Sequence, residues 1–63
     1  MKLREIRKSQ NLSVPELSRL SGVPIRTIED IERKHNCNIK TAKLLAKALN
    51  VSLDELCDFK LEE

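Results

Sequence analysis

Sixty-three residues and 7.2 kDa make one domain at most, and a chain this short buries only about 60% of the surface its unfolded form exposes. With 40% hydrophobic and 35% charged residues, one Gly, two Pro, one Phe and neither Trp nor Tyr, the composition favours a soluble helical domain over disorder or an all-β fold. The longest apolar runs, such as Leu44-Leu45-Ala46, are far short of the roughly 20 residues that span a bilayer, which excludes a membrane protein. Met1 is followed by Lys2, Leu3 and Arg4 with no apolar stretch of the kind that secretion requires, so a cytoplasmic location is expected.

Five helices are predicted in chain order, roughly over residues 2–10, 14–21, 24–34, 39–49 and 53–58, followed by a short acidic tail over 59–63. Apolar residues recur at helical spacing as Leu3 and Ile6, Leu17 and Leu20, Ile28 and Ile31, then Ala42, Leu45, Ala46 and Leu49, then Leu53, Leu56 and Cys57. No segment alternates with a period of two. Ser13 precedes Glu16 by three residues and Ser52 precedes Glu55 by three, the spacing of a capping box in which hydroxyl and carboxylate satisfy each other's backbone donors. Leu12 and Val51, just before those caps, are set to staple against Leu17 and Leu56 one turn inside. Asn38 can cap the fourth helix, and Asn50 stands where that helix needs a left-handed residue to end. Pro15 and Pro24 fall in first turns, where a missing amide donor costs least. The connections leave no room for a linker or a repeat, and helices this short depend on packing against one another.

Cys37 and Cys57 are twenty residues apart and His35 is the sole histidine, too few ligands for a zinc site in one chain, so no metal or cofactor is expected. Reduced thiols are expected, with Cys57 buried on a helix and Cys37 in a loop. His35 has no partner for acid–base work, and no catalytic constellation is present, so the chain is not read as an enzyme. The net charge of +2 hides an asymmetry. Residues 1–49 carry eleven Lys/Arg against five Asp/Glu, a balance of +6, whereas residues 50–63 carry one against five, a balance of −4. Such a division suits a basic face turned toward an anionic partner, though solvated helix charges alone would also produce it.

Residues 13–34 read S-V-P-E-L-S-R-L-S-G-V-P-I-R-T-I-E-D-I-E-R-K. Small Ser18, Gly22 four residues on, and Val23, Ile28 and Ile31 beyond it have the spacing of a helix-turn-helix: a small residue at the crossing, a glycine for positive φ, and apolar residues pinning the second helix. The segment is preceded by L-R-E-I-R-K-S-Q-N-L-S and followed by I-K-T-A-K-L-L-A-K-A-L-N-V-S-L-D-E-L. Over residues 2–58 this whole arrangement resembles the lambda-repressor-like, or XRE, family of DNA-binding domains, of phage repressor and Cro type. The resemblance implies an all-α, compact five-helix fold in which the third helix enters the major groove of double-stranded DNA and the second crosses the backbone. It implies base-facing roles for Ile25, Arg26, Glu29 and Asp30, and phosphate-facing roles for Thr27, Arg33, Lys34 and Lys40. It also implies an ion pair between Arg7 and Glu32, whose neighbours Ile6 and Ile31 are expected in the core.

The departures from the family pattern are informative. Val14 and Pro15 stand where a Gln and a free amide usually approach a phosphate. Glu29 and Asp30 put two carboxylates on the face meant for a polyanion, where they either accept from a cytosine amino group or repel phosphate; Glu29 can instead pair with Arg26 or Arg33. Lys34-His35-Asn36-Cys37-Asn38 replaces the usual Gly and Asn-Pro-Ser before the fourth helix.

The leading expectation is a sequence-specific transcriptional regulator, acting as a small dimeric repressor that occludes a promoter. Leu44, where the family often has a polar residue, and Phe59 and Leu61, beyond the last expected core position, are the candidates for a homodimer interface, unless Phe59 folds back on its own core. The competing reading is a helix-turn-helix scaffold for protein binding, an antitoxin or phage-type inhibitor whose acidic recognition helix meets a basic partner. A third is a module excised from a longer regulator.

Overall fold

The computed structural model describes residues 2–35 and 37–57. Among them are five helices and no strands: α1 (Leu3–Ser9), α2 (Val14–Ser21), α3 (Ile25–Lys34), α4 (Ile39–Leu49) and α5 (Leu53–Leu56). Local chemistry accounts for their starts. Ser13 Oγ accepts from the Glu16 amide while Glu16 Oε1 accepts from the Ser13 amide, and Ser52 and Glu55 repeat the arrangement at α5. Asn38 Oδ1 accepts from the Thr41 amide at α4. Pro15 lies in the first turn of α2, but Pro24 stands one residue outside α3, as its N-terminal flank.

The ends of the first four helices share one device. Asn11, Gly22, His35 and Asn50 all have positive φ, between 58° and 78°. After α4 the Asn50 amide donates to Lys47 O and the Val51 amide to Ala46 O, the paired bonds of a Schellman motif. The Asn11 and Leu12 amides make the same pair to Lys8 O and Arg7 O after α1. At α2 and α3 a single bond closes the end, from Gly22 to Ser18 O and from His35 to Ile31 O. His35 therefore holds the left-handed position usually occupied by glycine, at the steric cost that a side chain pays there.

The core is formed by Leu3, Leu17, Val23, Ile28, Ile31, Ala42, Leu45, Ala46, Leu49, Leu56 and Cys57, with Ile6, Leu12, Val51 and Leu53 packed partly against it. Helix α2 packs on α3 and α4, α4 on α5, and α1 on α3. Two longer-range ties link the ends of α1 to the C-terminal helices: the Lys2 amide donates to Leu56 O at 2.9 Å, and the Gln10 side chain donates through Nε2 to Leu49 O at 2.7 Å.

Three details differ from the sequence reading. Leu20 and Ile39 share the apolar spacing yet are 60% and 50% exposed. The small residue buried in α2 is Ser21, with Ser18 only half-buried. Ser21 tolerates burial because its hydroxyl donates to Leu17 O and accepts from the Val23 amide. Finally, α5 ends at Leu56: Cys57 is extended at φ −105° and directs its side chain into the core, and is not helical. Position 58 and the tail over 59–63, including Phe59 and Leu61, lie outside the described residues.

Candidate nucleic-acid interface

Helix α3 is divided sharply by its own periodicity. At roughly 100° per residue, Ile28 and Ile31 point one way and Arg26, Glu29, Asp30 and Arg33 the other. Ile28 and Ile31 are buried, while Arg26, Glu29 and Arg33 are exposed and Asp30 is half-buried. Ile25 is 42% exposed at the helix start and Thr27 is half-buried at one edge. Lys34 closes α3, and Lys40 opens α4; both are exposed. The first turns of α3 and α4 contain no acidic residue. The outward stripe thus carries a cation at each end and two carboxylates between them.

Those carboxylates behave differently. Arg33 Nη2 donates to Asp30 Oδ1 in an exposed ion pair three residues apart. Among the described residues Glu29 bonds neither to Arg26 nor to Arg33, so the pairings anticipated for it are not made. Both spacings reach Arg33 along a helix, and the structure uses the three-residue one.

The stripe is braced from behind. Arg7 Nε donates to Glu32 Oε2 at 2.8 Å and Nη2 to Oε1 at 3.2 Å, a forked pair between α1 and α3. Its remaining nitrogen, Nη1, donates to Leu12 O at 2.8 Å. Only 11% and 12% of the two side chains is accessible, so the guanidinium fixes α1, the turn before α2, and the last turn of α3 with one rigid fork.

The start of α2 is closed to an anion. Of its first-turn donors, the Ser13 and Glu16 amides are occupied by the capping box and Pro15 has none, which leaves Val14 alone. The Glu16 carboxyl is held below the usual carboxylate range by the Ser13 amide, then by the Ser13 hydroxyl, and so keeps a negative charge there.

Leu44 is 48% exposed on the outer face of α4. Cys37 is half-buried in the loop before α4 and Cys57 is buried; both are free, and burial pushes each thiol up, with Cys57 adding to the effect on Cys37. Among the described residues no group of His, Cys, Asp and Glu could hold a metal ion, and no helix is long and apolar enough to cross a membrane.

A short α2, a left-handed Gly22 and an α3 with one buried and one charged face define a helix-turn-helix. The family model described as helix-turn-helix matches residues 3–56, and the chain belongs to this XRE-type helix-turn-helix family, a class of DNA-binding transcription regulators that is generally non-enzymatic. Two curated relatives come from Bacillus subtilis (strain 168). The SPbeta prophage-derived uncharacterized HTH-type transcriptional regulator YopS is 32% identical over 60 residues, covering 92% of this chain and 81% of its own. The corresponding regulator YopO is 33% identical over 60 residues, covering 94% and 86%. No solved structure matches the chain.

Proposed function

We propose that this protein is a sequence-specific transcriptional repressor that binds double-stranded operator DNA as a homodimer, with α3 in the major groove. The observation that carries the reading is the outward stripe of α3, which holds Arg26 and Glu29 exposed and unpaired with each other while Ile28 and Ile31 anchor the helix. Arg26 lies at the N-terminal end of the stripe, and its forked donors match the two acceptors of guanine; Glu29, one turn on, can accept from the cytosine amino group. Ile25 adds an apolar contact, and Thr27, Lys34 and Lys40 supply phosphate contacts that fix register without reading sequence, while Arg33 faces the same backbone paired with Asp30. The family relatives named as transcriptional regulators support the same reading. Two copies meeting through Leu44 and the C-terminal segment would set half-sites about one DNA turn apart.

Selection from random duplex DNA at low and moderate salt tests it. A motif containing a G should be enriched, Arg26→Ala should lose about 1 to 3 kcal/mol together with preference at that one base pair, and Lys34→Ala should weaken all duplexes alike and lower the salt slope by about one. No retention of any duplex at low salt would overturn the reading and favour a protein-binding scaffold, in which the free Glu29 meets a basic partner.

A further inference from the structure

The four outward groups of α3 comprise two cations and two carboxylates, and the ion pair divides them unequally. Asp30 is bonded to Arg33, whereas Glu29 bonds no cation among the described residues. We propose that Asp30 acts through Arg33 to hold down the affinity of this protein for DNA of arbitrary sequence, its carboxylate neutralising the guanidinium and drawing it along the helix, away from a phosphate. The proposal rests on the DNA-binding reading above.

Three features support it. First, the pair is exposed, with 69% of the Arg33 side chain and 43% of the Asp30 side chain accessible, so it is weak in water and opens to a competing anion. Second, the pair engages Nη2 alone, so a phosphate reaches the remaining donors of Arg33 only beside a carboxylate that has already neutralised the guanidinium charge. Third, Arg33 has no other acceptor among the described residues: its only hydrogen bond is to Asp30. Phosphate contact by Arg33 therefore either breaks that bond or brings the phosphate up beside the Asp30 carboxylate, and both are unfavourable. Each phosphate contact contributes about 0.9 to the slope of log affinity against log salt. Neutralisation of Arg33 by Asp30 therefore removes close to one counterion's worth of sequence-independent binding. Asp30 is in this sense a positioning residue, which works by directing the cation one turn away.

The experiment measures binding of the full chain to a random-sequence duplex across a salt series, for wild type, Asp30→Asn, Glu29→Gln, Arg33→Gln and Asp30→Asn/Arg33→Gln, with thermal melting to establish that each is folded. Asp30→Asn should tighten binding about eightfold at 0.1 M salt and steepen the slope by about 0.9, the effect of one released phosphate contact. Glu29→Gln removes the same charge without freeing an arginine and should tighten binding no more than about twofold, with the slope unchanged. In the Arg33→Gln background the Asp30→Asn effect should largely vanish. Equal gains from Asp30→Asn and Glu29→Gln, or an undiminished Asp30→Asn gain without Arg33, would overturn the proposal while leaving DNA binding intact. Absence of salt-dependent binding by wild type and every variant would overturn the DNA-binding reading, and this proposal with it.

Discussion

Loss of either partner from the Arg7–Glu32 pair strands the other. In Arg7→Ala the Glu32 carboxylate loses both of its hydrogen bonds and the Leu12 carbonyl loses its guanidinium donor; in Glu32→Gln the guanidinium keeps Leu12 O but faces a neutral amide. Breaking a fully buried pair costs about 3 to 5 kcal/mol, and an exposed one about 1 or less. With nine-tenths of each side chain covered, the expected loss for Arg7→Ala is about 2 to 4 kcal/mol. A domain of this length has a total stability of about 3 to 9 kcal/mol, so the variant sits near the unfolding threshold. Urea titration followed by helical circular dichroism is the assay, since the chain has no Trp or Tyr. At a slope of about 1 kcal/mol per molar urea the midpoint should fall by about 2 to 4 M. The double variant Arg7→Met/Glu32→Leu, which removes both charges and keeps the volume apolar, should recover most of that loss. Wild-type midpoints in both single variants, or a double variant that loses the sum of the singles, would refute the reasoning.

His35→Gly should raise stability by about 0.5 to 1 kcal/mol, because it relieves a left-handed side chain at the end of α3, whereas Gly22→Ala should cost about 1 kcal/mol from φ alone, since a Cβ there meets nothing within 4 Å; urea midpoints read both. The buried thiols give a pH dependence: the folded-state values lie above the ordinary one, so their contribution is intact below about pH 8.5 and declines as the unfolded thiols ionise above it. Stability measured between pH 8 and 10 should fall less in Cys37→Ala/Cys57→Ala than in wild type. Sedimentation at tens of micromolar should show a dimer that Leu44→Ser or Phe59→Ser dissociates; a monomer at all concentrations, unchanged by either substitution, would remove the dimer from the proposed function.

What was legible in the sequence is what short-range chemistry decides. A capping box needs only a hydroxyl and a carboxylate three residues apart, so the starts at Ser13 and Ser52 were readable, and Gly22 and Asn50 were readable as left-handed ends for the same reason. Periodicity identifies which residues share a face and not how much of that face a neighbour covers. Leu17 and Leu20 are therefore indistinguishable by spacing, although α3 and α4 cover the first and leave the second in solvent. Ser21 was invisible because its burial depends on pairing the Leu17 carbonyl one helical turn back with the Val23 amide, which only the turn brings within reach. The choice of Asp30 over Glu29 by Arg33 is of the same kind: both spacings are compatible with a helix, and the conformation of the three side chains selects one.

The same geometry bears on how a weakly basic domain could hold DNA at all. At the start of α2 the Ser13 and Glu16 amides are taken by the capping box, Pro15 has no amide hydrogen, and a charged Glu16 stands beside them, so the backbone contact available there is reduced to Val14. Arg33 is engaged by Asp30. The cations left exposed along α3 and the start of α4 are Arg26, Lys34 and Lys40. If Arg26 reads a base, this segment offers two phosphate contacts, which at about 0.9 each contribute about 2 to the salt slope of one copy, against 6 to 10 contacts in strong binders. A second copy doubles that number and adds a second set of base contacts on one duplex, whose effective concentration turns two weak half-site affinities into one useful affinity. In the proposed dimer, low nonspecific affinity per domain and the need for pairing are two consequences of one charge arrangement, and discrimination comes from demanding two correctly spaced half-sites.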